Sequence, residues 1–87
     1  MKNNITKAKK DMEALISLYD AVLQSGLLDK EKKYLVEAVM FFAKEALKHI
    51  KNGENAEKHD RPKEEIENIY KKYGYCMLAA TVINNSL

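Results

Sequence analysis

Apolar residues return every three or four positions along this chain, and that rhythm leaves little room for any fold but packed helices. In the first segment Ile5, Ala8, Met12, Leu15, Tyr19 and Val22 are separated by three, four, three, four and three residues. Such a series lies along one face of a helix, whereas a strand would alternate every second residue. Asn3, Asn4 or Thr6 suits the start, because short polar side chains accept from backbone N–H groups that lack a helical partner. Gly26 suits the end, because glycine takes the left-handed conformation past a helix without a steric penalty. Lys7, Lys9 and Lys10 place positive charge at the end of the helix dipole that is already positive. The first turns should therefore fray unless a partner neutralises them.

Asp29 is the natural cap of a second helix, which the pattern carries to about residue 52, with Gly53 as its stop. This helix has two adjacent apolar stripes. One is Leu35, Val39, Phe42 and Ala46; the other is Val36, Met40, Ala43, Leu47 and Ile50. Together they exceed the apolar arc of a surface helix, so two neighbours should cover it at once. Glu37, Lys44, Lys48 and Lys51 mark the wet side. Residues 53–61 are polar throughout and read as the one long connection.

Pro62 opens the third helix, where a missing N–H costs nothing, and Glu64, Glu65 and Glu67 suit the positive end of its dipole. The series Ile66, Tyr70, Tyr73, Met77 and Ala80 passes Gly74 in phase, as does Ile69, Tyr73, Cys76, Ala80, Ile83 and Leu87. One helix over about 62–84, weakened or bent at Gly74, fits best. A break there would give four helices. The expected fold is all-α: one domain over residues 1–87, a small antiparallel three-helix bundle with helices at about 4–25, 30–52 and 62–84.

Composition sets the outer limits. Among 87 residues, 46% hydrophobic and 32% charged argue against disorder. Fifteen Lys and Arg against thirteen Asp and Glu leave +2, too little to draw the whole chain onto nucleic acid or anionic lipid. A single cysteine, Cys76, permits no internal disulfide. Asp11 and Glu13 interrupt any apolar run after the basic start, so no signal peptide is expected. The longest apolar runs, Ala38 to Ala43 and Tyr75 to Ala80, fall far short of the roughly 20 residues of a membrane-spanning helix. The expected compartment is the cytoplasm.

Catalytic and metal constellations are missing. His49 follows Glu45 by four residues and His59 precedes Asp60, which matches neither the Glu-x-x-His of di-metal bundles nor a zinc site. Cys76 sits among apolar residues and reads as a small core hydrophobe rather than a nucleophile. Gly26, Gly53 and Gly74 are isolated, so no phosphate-cradling loop forms. No enzyme, cofactor or metal is expected. Tyr70-Lys71-Lys72-Tyr73-Gly74-Tyr75 interleaves bases with aromatics, as nucleic-acid-binding segments do. Yet Tyr70 and Tyr73 belong to the buried series. The other lysine groups, Lys7, Lys9 and Lys10 against Lys30, Lys32 and Lys33, fall at opposite ends of such a bundle.

The most informative feature is the tail: no charged side chain occurs from Tyr73 to Leu87. A peripheral helix should carry charge on its outer face. This one offers Thr81, Asn84, Asn85 and Ser86, with Tyr75, Leu78 and Val82 at further angles. Either the rest of the chain covers it, or a second copy or another protein does. Met40, Phe41 and Phe42, which point in different directions around the second helix, add weight to association.

Leu15, Leu18-Tyr19 and Leu23, a short connection, then Asp29-Lys30-Glu31 opening a helix with Leu35 and Ala38, resemble the enterocin-type bacteriocin immunity proteins, small cytosolic helical bundles. The resemblance spans Met12 to Leu47 and implies an immunity role. Lys-, Asn- and Ile-rich usage suits a low-GC bacterium, phage or plasmid. The leading expectation is a regulatory or inhibitory protein that binds a larger protein partner, or itself as a homodimer. The contact would use Tyr75, Leu78, Val82 and Leu87, Lys7, Lys9 and Lys10, or both groups. Nucleic-acid binding through the lysines is the alternative.

Overall fold

The structure, a computed structural model, describes residues 2–87. Helices α1 (Lys2–Ser25), α2 (Lys30–Lys58) and α3 (Lys63–Asn85) follow one another, and no strand occurs among the described residues. Short connections make successive helices antiparallel. The body is a rod of 47 × 17 × 16 Å.

The central element is α2. No Cα of α1 comes within 8 Å of a Cα of α3, and both lean on α2, with α3 doing so far more extensively. The double apolar stripe of α2 is the reason. Val36, Val39, Met40, Ala43, Ala46 and Ile50 are all buried. Met12 of α1 inserts against Ala43, Ala46 and Ile50. Ile5, Ala8, Leu15 and Ile16 of α1 and Tyr73, Cys76 and Met77 of α3 close around that cluster. Fully burying one such branched side chain stabilises the fold by about 1.5–3 kcal/mol. The alanines of α2 let both neighbours approach closely.

Two helix ends follow the local code. Asp29 adopts extended backbone and accepts from the Lys32 N–H at 2.8 Å. Gly26 takes φ +70 beyond α1. At the start of α1 the helix already begins at Lys2, so Asn3, Asn4 and Thr6 lie inside its first turns and do not precede it. The side chains of Asn3 and Asn4 lie outside the described residues. Lys9 finds its counter-charge within the chain, 3.3 Å from Glu54 of α2.

The second connection differs from expectation. Gly53 does not stop α2; the helix runs on to Lys58, and the connection shrinks from residues 53–61 to 59–62. Gly53 is buried in mid-helix beneath Tyr70, where an added Cβ would lie 2.7 Å from the ring atoms Cε1 and Cζ. It is required by a contact across the α2–α3 hairpin. Asp60, at φ 52, takes the left-handed position instead. The Arg61 N–H donates to the Ala56 carbonyl (3.0 Å) and the Asp60 N–H to the Glu57 carbonyl (3.2 Å), the paired bonds that close a helix around a left-handed residue. Pro62 caps α3, which starts at Lys63, and Arg61 pairs with Glu65 at 2.9 Å across the first turn. Beyond it α3 continues unbroken through Gly74.

Three substitutions separate these roles. Gly53→Ala should lower stability by about 1–3 kcal/mol through overpacking against Tyr70, although alanine is the better helix former. Gly74→Ala, where an added Cβ meets nothing within 4 Å, should raise it by up to about 1 kcal/mol. Asp60→Gly should raise it by about 0.5 kcal/mol, the relief of left-handed strain less glycine's added chain entropy. Urea unfolding of the three variants checks all three signs.

Candidate protein-interaction surface

The inner side of α3 is occupied by the bundle. Ile66, Ile69, Tyr70, Tyr73, Cys76, Met77, Ala80 and Ile83 are buried or half-buried there. The opposite side of the same helix carries Tyr75, Leu78 and Val82, exposed by 65%, 63% and 58%. At 100° per residue these three fall within a narrow strip pointing away from α2, and at spacings of three and four they touch in sequence. Neither α1 nor α2 covers them, so the first explanation of the uncharged tail, cover by the rest of the chain, does not hold for these residues. Leu87, 41% exposed, follows the end of α3 on the inner series.

The polar residues of the tail do little to relieve this face. Thr81 Oγ1 donates to the Met77 carbonyl at 2.8 Å, and Ser86 Oγ donates to the Val82 carbonyl at 3.3 Å. Asn84 turns inward and accepts from the Tyr19 hydroxyl of α1. Three of the four hydrogen-bonding side chains are thus engaged by the fold itself.

The lysine candidates are placed differently. Lys7 and Lys10 are exposed on α1, while Lys9 is tied to Glu54. They lie toward the end of the rod opposite Lys30, Lys32 and Lys33. A further cationic group, read from sequence only as the wet side of α2, is Lys44, Lys48 and Lys51, which are spaced four and three and line a shallow open depression with Leu47 and Asn52. Their spacing was the available signal. Leu18, Tyr34 and Phe41 are also exposed, with Phe41 set edge-on against Phe42 at 5.3 Å.

Electrostatics offer no activated nucleophile at the one thiol. Burial, reinforced by Glu45, pushes the Cys76 thiol up and away from thiolate. His59 closes the end of α2 through its backbone. Among the described residues no group of three or more His, Cys, Asp or Glu side chains is placed to hold a metal ion, and no helix is long and apolar enough to cross a membrane. No protein-family model, no curated protein and no solved structure matches this chain.

One contact between α2 and α3 has a pH signature. Tyr70 donates its hydroxyl to the Glu57 carboxylate. Its ionisation is pushed well above the ordinary tyrosine range, first by burial, then by that bond and the charges of Glu57 and Glu54. Burial raises Tyr73 as well. The folded state then holds the proton that the unfolded chain releases near pH 10, so this stability is fully present below pH ~10 and declines above it. Unfolding free energy measured from pH 8 to 11.5 should fall in the alkaline limb, and Tyr70→Phe should make that fall shallower, with Tyr73 and Cys76, both also raised by burial, contributing to what remains.

Proposed function

We propose that this chain acts by binding rather than catalysis, as a small regulatory or inhibitory protein of the inhibitor or immunity type, and that the outward face of α3 is its contact surface. The observation that carries this reading is the exposure of Tyr75, Leu78 and Val82 in one strip on a helix face without charge. Contiguous apolar surface on a small protein marks contact sites, and tyrosine is among the residue types that most often anchor binding energy. Truncating these side chains costs the isolated fold little, because they touch little within it.

A photoreactive amino acid at position 78 should crosslink to protein in the native host, whereas the same group at position 48 should not. Leu78→Glu should abolish specific capture while leaving helicity unchanged and stability within about 0.5 kcal/mol. Absence of any protein adduct at position 78 overturns the reading.

A second reading rests on Lys44, Lys48 and Lys51 beside one another on α2. Such a cationic flank would bind nucleic acid through phosphates. Affinity for duplex or single-stranded oligonucleotides should then drop steeply between 50 and 200 mM salt, and fall further in Lys48→Glu. No binding at low salt removes it.

A further inference from the structure

A second seam runs along α3. Lys71, Tyr75, Leu78, Val82 and Asn85 are separated by four, three, four and three residues, and all five are exposed. One helix therefore carries two seams on opposite sides. The inner one packs on α2. The outer one has the seven-residue rhythm by which a helix packs along another helix.

Resting on the reading of this face as an interface, we propose that its occupant is a second copy of this chain, with two α3 helices paired antiparallel across a two-fold axis level with Ala80. Leu78 then packs against the partner's Val82, and Tyr75 lies beside the partner's Asn85, an amide within the class of partners a phenol can bond. Lys71 reaches the carbonyl end of the partner's α3, where the helix dipole favours a cation.

Surface area leaves room for a copy of this size. The chain exposes 6329 Å². A folded monomer of its 10.0 kDa ordinarily exposes about 5,200 Å². Its radius of gyration is 14.5 Å, against about 12 Å for a compact chain of this length. A stable dimer hides roughly 800 Å² on each copy, which is within that excess. Pairing two rods side by side along α3 brings the assembly back toward ordinary compactness.

Charge argues for the arrangement. A two-fold contact sets a surface against itself, so any charge near its centre meets its own like. The strip from Gly74 to Ser86 has none, and such a face meets its own copy without repulsion. Partner choice between different proteins is normally set by complementary charges at the rim, and from Gly74 to Ser86 this seam supplies none. The antiparallel sense follows from the charges beyond the strip. Parallel helices would stack Glu64, Glu67 and Lys71 on their own counterparts. Antiparallel helices carry those charges past the partner's Asn85.

Sedimentation equilibrium of the full chain over 1–500 μM tests the proposal. The expected result is a monomer–dimer equilibrium that Leu78→Glu weakens by at least 100-fold and Leu78→Ala by less. Phe41→Glu, on the outer face of α2, should leave it unchanged. Far-ultraviolet circular dichroism of each variant must show the helicity of the parent. In a Cys76→Ala background, a mixture of Leu78→Cys and Val82→Cys chains should form the mixed disulfide in preference to either like pair. A chain that is monomeric at every concentration overturns the proposal, as does a dimer that survives Leu78→Glu. Preferential like-with-like disulfides overturn the antiparallel arrangement. The photocrosslink at position 78 separates the two readings. A monomer that captures a different protein there keeps the interface and loses the second copy. A monomer that captures nothing loses both.

Discussion

The breadth of the apolar arc on α2 governs this molecule. A helix with one narrow stripe needs one neighbour; Val36, Met40 and Leu47 on one flank and Leu35, Val39 and Phe42 on the other require two. No Cα of α1 comes within 8 Å of one in α3, and the two helices meet through side chains, around the Met12–Ile50 cluster and in the bond from Tyr19 to Asn84. That geometry uses one side of each outer helix. Tyr75, Leu78 and Val82, on the far side of α3, are therefore left to solvent.

The helices were legible because burial on a helix writes itself into spacing. Ile5 through Val22, the two stripes of α2 and the two series of α3 face inward where the spacing puts them, except for Leu87 beyond the end of α3. Asp29 and Gly26 were legible because a cap is a local affair: an extended residue with a short acceptor, and a residue without Cβ at positive φ. The end of α2 was not. The local code assigns the left-handed stop to glycine, yet Gly53 serves a contact with Tyr70 from the next helix, and Asp60 takes the left-handed position. No window around residue 53 contains Tyr70. The polar run from Glu54 to Lys58 looked like a loop because its charges had no visible partners. In the fold Glu54 meets Lys9 and Glu57 meets Tyr70.

The exposed apolar strip of α3 was legible in a different way. Tyr75, Leu78 and Val82 stood out through what surrounds them, since a stretch without charge is visible in sequence while exposure is not. Two readings of that stretch were open because either burial or partnership removes the need for charge. The fold separates them. The inner series accounts for Tyr73, Cys76, Met77 and Ala80, and the outer strip is left over. The cationic group on α2 was missed for the opposite reason: Lys44, Lys48 and Lys51 look like the ordinary wet side of a helix until a depression appears between them.

Exposure by itself does not mark a surface for contact, and α2 supplies the comparison. Phe41 and Val82 are each 58% exposed. Around Phe41, at the positions one turn away on the same helix face, stand Glu37, Lys44 and Glu45, with Lys48 a further turn on. A second molecule approaching Phe41 must strip water from those charges, which costs more than one phenyl ring returns. Around Val82, at the same spacings, stand Leu78, Ala79, Asn85 and Ser86, and the Ser86 hydroxyl is already bonded to its own backbone. An approaching apolar surface there displaces water held by few polar groups. Equal exposure therefore carries a different desolvation cost on the two helices, and the lower cost lies on the outer face of α3.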